Sequence, residues 1–122
     1  MIGEVRNICY VGREMPEDLR SSLSERRWSI DAIELHSRFN SARPFERADA
    51  GIIDFSGVQI PHDLAAVEQL LGNSHIVWVA TGYPEQINDA ATRRLIRDYC
   101  FDYVTLPTSN ERIVDAVGHA HG

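Results

Sequence analysis

The chain has 122 residues, of which 43% are hydrophobic and 25% are charged, and this composition suits one soluble globular domain. Its formal net charge of -6 argues against a nucleic-acid-binding surface, which requires clustered Lys and Arg. No apolar run approaches the roughly 20 residues that cross a bilayer, and no apolar signal region opens the chain. Cys9 and Cys100 form no metal-binding or redox motif. Together these features indicate a cytoplasmic domain, and we expect no metal and no cofactor.

Strand and helix patterns alternate along the chain. In chain order they predict a strand at 5–11, a helix at 16–27, a strand at 28–35, at most a short helix at 37–45, a strand at 50–54, a helix at 61–71, a strand at 75–81, a helix at 85–100, a strand at 101–106 and a helix at 110–120. Pro16 suits a first helical turn, whereas Pro44 interrupts the short segment. Gly72 ends the helix before it, and Ser109 or Asn110 caps the last helix.

This alternation predicts an α/β fold with a parallel sheet covered by helices on both faces. The runs AGII and IVWVA are continuously apolar, as buried parallel strands require. The expected architecture is a flavodoxin-like (βα)5 domain with strand order 2-1-3-4-5. In such sheets, ligands bind at the carboxyl ends of the strands where the order reverses, here between strands 1 and 3. Asp54 ends strand 3, so the fold predicts that its carboxylate lies at this place.

Asp54 and four other residues are spaced as in a known signalling family. Asp49 precedes Asp54 by five residues in DAGIID, Thr81 ends strand 4, Tyr103 lies three residues before Leu106 on strand 5, and Pro107 follows it. In this order the chain resembles, over essentially its whole length, the receiver domains of two-component response regulators. The resemblance implies that Asp54 stands at the phosphoacceptor position, with Thr81 and Tyr103 at the switch positions.

The same resemblance identifies three departures. The acid pair that holds Mg²⁺ after strand 1 is replaced by Gly12 and Arg13, and the lysine before Pro107 is replaced by Leu106. Glu14 is the nearest other acid. We therefore predict a degenerate receiver that is not switched by ordinary Mg²⁺-dependent phosphorylation, with Arg13 as a counter-ion of Asp54. Two alternatives are that Asp54 is still phosphorylated, or that it only caps the next turn.

The segments DYCFDYVTLP and VDAVGHAHG resemble the N-terminal domain of VpsR-type regulators, which belong to the NtrC-like, sigma-54-dependent group. This implies that residues 1–122 are one receiver-like, non-enzymatic module of a longer transcription regulator, followed by AAA+ and DNA-binding domains. A link to cyclic di-GMP is implied for the group by resemblance alone. The family's usual pairing face corresponds to residues 85–120, so a homodimer is possible.

A small flavodoxin-like enzyme or ligand-binding protein is the competing interpretation. It predicts a phosphate-binding loop after strand 1, but YVGREMPE has a single glycine. The five histidines include no pair at the i, i+4 spacing that places two metal ligands on one helix face. The sequence therefore favours a signalling and interaction module.

Overall fold

A five-stranded parallel sheet forms the centre of the fold in the computed structural model, which describes residues 5–34 and 47–122. The elements are β1 (Arg6–Gly12), α1 (Glu17–Glu25), β2 (Trp28–Glu34), β3 (Ala50–Asp54), a 3₁₀ turn (Phe55–Gly57), α2 (Leu64–Gly72), β4 (Val77–Gly82), α3 (Pro84–Ile87), α4 (Ala90–Tyr99), β5 (Cys100–Thr105) and α5 (Asn110–His121). The short helix considered at 37–45 lies outside the described residues. Within the described ranges, no helix is long and apolar enough to span a membrane.

The strand order is β2-β1-β3-β4-β5 and every pairing is parallel, which confirms the predicted topology. The order reverses between β1 and β3, where Val11 pairs with Ile53. On the other side of β3, Asp54 pairs with Thr81 of β4. The carboxyl ends of the three inner strands therefore meet at one edge of the sheet, with Asp54 in the middle.

Two apolar layers cover the sheet. Alternate side chains of a strand point to opposite faces, so Ile8 and Tyr10 of β1 enter one layer while Cys9 and Val11 enter the other. The first layer contains the buried sides of α1 and α5, and the second contains those of α2, α3 and α4. All five residues of β3 are buried, which agrees with the expectation that both faces are covered.

Three helices begin or end at residues other than those the sequence predicts. The helix expected at 85–100 is two helices, because Asp89 begins a new one by accepting a hydrogen bond from the Thr92 N–H at 3.0 Å. The helix expected from 61 begins at Leu64, after a turn in which the Asp63 carboxylate accepts the Gln59 N–H at 2.8 Å. α1 ends at Glu25 because Arg27 adopts a positive φ of 66° at the entry to β2.

Candidate functional site

The Asp54 carboxylate lies at the carboxyl end of β3 and is only 3% exposed. One oxygen, Oδ2, accepts a hydrogen bond from the Tyr10 hydroxyl at 2.5 Å. The other, Oδ1, accepts two from Ser56, from its backbone N–H at 2.9 Å and its hydroxyl at 2.6 Å. Both carboxylate oxygens are therefore engaged by protein donors, and the bonds from Ser56 make Asp54 the cap of the 3₁₀ turn.

Tyr10 reaches this carboxylate from β1. Its side chain is 1% exposed and packs in the layer formed with α1 and α5. Burial, followed by the nearby Asp54 carboxylate, raises the pKa of Tyr10 above its ordinary value, so the phenol stays protonated and donates near neutral pH. Sequence reasoning missed this residue. The available signal was a tyrosine inside an apolar strand, because a buried hydroxyl requires a partner.

The loops after β1 and β3 touch through their backbones. Gly12 has a φ of 139°, and a Cβ added there would lie 2.6 Å from the carbonyl oxygen of Asp54. A Cβ added at Gly57 would collide with the backbone nitrogen of Arg13. Position 12, where the resemblance expected an acid, therefore has no room for a side chain in this conformation.

Arg13 does not make the contact with Asp54 that was predicted for it. Arg13 is exposed, and no ion pair joins it to Asp54 in the described part of the chain, so the predicted counter-ion contact is wrong. The reason is that Tyr10 and Ser56 already satisfy both carboxylate oxygens, and an exposed guanidinium keeps its hydration. Glu14 is also exposed and lines a separate groove with Arg20.

A cavity of about 230 Å³ opens at the carboxyl ends of the strands and brings most of the predicted site residues together. Its walls include Asp54, Arg13, Thr81, Leu106 and Pro107, together with Tyr10 and Asn110. The half-buried Leu106 packs against the first core layer and presents an aliphatic side chain where the family has a lysine.

The starts of α1 and α5 also line this cavity. A hydrogen bond from the Asn110 side chain lowers the pKa of Asp18, which also lines the cavity. Tyr103, the predicted switch aromatic, lies on edge strand β5 with 39% exposure and is absent from the cavity lining. The structure therefore does not bring Tyr103 to Asp54.

The residues at this site do not fit a Mg²⁺ ion. The ion needs several oxygen ligands, chiefly carboxylates and water. Here the acid-pair positions are Gly12 and Arg13, and both oxygens of Asp54 already accept hydrogen bonds. Among residues 5–34 and 47–122, no group of three or more His, Cys, Asp and Glu side chains is arranged to hold a metal ion.

A comparison with protein-family models gives a match to the VpsR domain over residues 2–118. The chain belongs to the VpsR domain family. No curated protein matches the chain significantly.

Several solved structures similar to this VpsR-type domain are described as receiver domains. A response regulator receiver domain from Bermanella marisrubri is 16% identical with a TM-score of 0.74, covering 98% of this chain and 100% of that chain. The non-phosphorylated HemR receiver domain from Leptospira biflexa is 12% identical with a TM-score of 0.73, covering 96% and 94%. The receiver domain of a modulated diguanylate cyclase from Desulfovibrio desulfuricans G20 is 16% identical with a TM-score of 0.71, covering 97% and 94%. At these identities the likeness establishes the fold, and together with the family match it makes the chain a receiver domain of the VpsR type.

Proposed function

We propose that this VpsR-type receiver is a protein-interaction module that is not switched by ordinary Mg²⁺-dependent phosphorylation. The observation that carries the proposal is the state of Asp54. Its carboxylate is 3% exposed, with both oxygens bonded to Tyr10 and Ser56. These hydrogen bonds fix the orientation of the carboxylate. Attack on a phosphodonor requires a carboxylate that is free to move and a metal partner, and this site provides neither.

The chemistry of phosphoryl transfer supports the same conclusion. When a carboxylate attacks a phosphodonor, two negatively charged groups approach each other. Metal ions and cationic side chains stabilise this negative charge. Leu106 supplies no charge where the family's lysine would neutralise the phosphoryl oxygens. Arg13 lines the cavity but is exposed, so its charge is screened by solvent. Phosphorylation at Asp54 should therefore be very slow.

We propose further that the domain is the N-terminal module of a longer sigma-54-dependent transcription regulator in the cytoplasm. In this role it acts through contacts with AAA+ and DNA-binding domains and catalyses no reaction of its own. Membership of the VpsR family supports this placement. The acidic net charge of -6 also favours contacts with protein over contacts with DNA.

A weak homodimer through residues 85–120 is part of this proposal. β5 is an edge strand on which Phe101 is 60% exposed and Tyr103 is 39% exposed. The same residues 85–120 carry exposed charges of both signs, at Arg93, Arg97, Asp98, Asp102, Glu111 and Arg112. A two-fold axis places the same patch on both partners, so this mixture can form reciprocal ion pairs around the two aromatic rings.

Calorimetric titration with Mg²⁺ tests the central part of the proposal. We expect no binding at physiological millimolar concentrations, because the donor set lacks the second and third carboxylates. The variant Asp54→Asn is the matched control. A dissociation constant in the low millimolar range that disappears in this variant would contradict the proposal.

A further inference from the structure

Asp54 is a buried carboxylate whose hydrogen bonds, among the described residues, come from neutral donors. It is 3% exposed, and within the described ranges none of the ion pairs includes it. Removing a charge from water is costly unless nearby groups replace its hydration. The fold must therefore compensate this carboxylate with neutral hydrogen-bond donors.

The donors that do so are of two kinds. Ser56 is two positions along the chain, so its N–H and hydroxyl bonds belong to the local turn. Tyr10 is 44 positions away on a different strand. The Tyr10 hydroxyl is thus the donor that ties this carboxylate to another element of the fold, and a hydrogen bond from a hydroxyl to a carboxylate is charge-assisted.

Tyr10 is suited to hold this bond permanently. Its ring is 1% exposed and packs among core side chains, which fixes the position of the hydroxyl. Its pKa is raised by burial and by the carboxylate, so the proton needed for donation is retained. A bound water or ion can exchange with solvent, whereas this hydroxyl can leave Asp54 only if the core layer rearranges.

We propose that Tyr10 is a positioning residue that locks Asp54 in place. The lock rests on the proposed function and deepens it, because it identifies what holds the receiver in one state. The position of Asp54 then depends on the packing of β1 in the core.

A double-mutant cycle with Tyr10→Phe and Asp54→Asn tests this lock. Tyr10→Phe keeps the ring and removes only the hydroxyl, and Asp54→Asn keeps the shape and removes the charge. We expect the two changes to be coupled by about tenfold in the unfolding equilibrium constant, since hydrogen bonds to charged groups are stronger than neutral ones. Additivity to within about twofold would overturn the proposal.

Amide hydrogen exchange separates the lock from ordinary core packing. Ile8→Val is the matched control, because Ile8 is fully buried, two residues earlier on β1, and in the same core layer as Tyr10. We expect Tyr10→Phe to accelerate exchange of the Ser56 N–H, which bonds to Asp54, beyond any global loss of stability. Ile8→Val should leave this amide at the rate set by its own stability. The same pattern in both variants would overturn the lock.

Proton NMR of the unmodified protein gives a readout that needs no variant. A buried phenol that donates to a carboxylate predicts one tyrosine hydroxyl proton that exchanges with solvent slowly enough to be observed. Absence of such a proton would count against the lock. These measurements contain neither Mg²⁺ nor a phosphodonor, so their failure is distinguishable from failure of the proposed function.

Discussion

Adding a single methyl group at Gly12 should destabilise the domain strongly. Gly12 has a φ of 139°, in the region that residues with a Cβ rarely adopt. Its added Cβ would lie 2.6 Å from the backbone oxygen of Asp54 and 3.0 Å from the Asp54 Cβ. The first of these neighbours is backbone inside the sheet, so it has little freedom to move away. The change Gly12→Ala therefore strains the loop and separates β1 from the end of β3.

The size of this effect follows from its two causes. A residue held in a sparsely populated backbone conformation costs about 1–3 kcal/mol. Overpacking against fixed neighbours costs about another 1–3 kcal/mol. We therefore expect Gly12→Ala to lower the free energy of unfolding by about 2–6 kcal/mol, a large part of the roughly 5–15 kcal/mol typical of a domain. For the same reason, Gly12→Asp should lose stability without gaining a Mg²⁺ site.

Urea unfolding followed by far-ultraviolet circular dichroism measures this loss. The midpoint should fall by about 1 M or more. Gly118→Ala is the matched control, because its added Cβ meets nothing within 4 Å on α5. That variant should be unchanged or up to about 1 kcal/mol more stable, as expected for Gly to Ala in a helix. A loss below about 1 kcal/mol in Gly12→Ala would refute the argument that the two loops abut.

Three further predictions concern the surface. Arg13→Ala should change the free energy of unfolding, measured in urea, by no more than about 0.5 kcal/mol. The reason is that the side chain is exposed and, within the described residues, makes no ion pair with Asp54. A larger loss of stability would indicate an ion pair. The Arg94 guanidinium, with the Tyr99 hydroxyl, lowers the pKa of Glu68 in the folded state. This contact therefore stabilises the fold at pH values above the unfolded-state pKa of Glu68, and the stabilisation is lost as pH falls through the folded-state pKa. Thermal unfolding of Glu68→Gln should therefore approach that of the wild type in acid, and an equal difference at all pH values would contradict this. Sedimentation at high concentration should reveal a dimer that weakens with salt and in Phe101→Ala, since exposed ion pairs contribute at most about 1 kcal/mol each; a strict monomer at low salt would exclude it.

The sheet and the position of Asp54 were predictable because they follow from patterns that are local in sequence. Continuous apolar runs identify strands covered on both faces, and their alternation with helices leaves few topologies. The run AGIID places its acid at the strand end by simple counting. The strand order was confirmed for the same reason, since a parallel sheet of this size has a preferred arrangement.

The contacts of Asp54 were not predictable, because they depend on distances across the sheet. Tyr10 appears in the sequence as one more apolar strand residue, and only the register of β1 on β3 brings its hydroxyl to the carboxylate. Arg13 was expected at Asp54 because it stands where the family has an acid and Asp54 stands at the phosphoacceptor position. That argument omitted the nearby hydroxyl and amide donors of Ser56, which satisfy the carboxylate without an ion pair. Similarly, the cap at Asp89 that divides the long helix depends on one side-chain conformation.

Intact-mass spectrometry after incubation with acetyl phosphate and Mg²⁺ tests the central claim most directly. A receiver that retains its acid pair and lysine serves as the positive control in the same reaction, and Asp54→Asn serves as the negative control. The site lacks the family's acid pair and lysine, and Asp54 is held by Tyr10 and Ser56. The wild-type domain should therefore remain at its unmodified mass, like Asp54→Asn. The addition of one phosphoryl group to the wild type, absent from Asp54→Asn, would contradict the account.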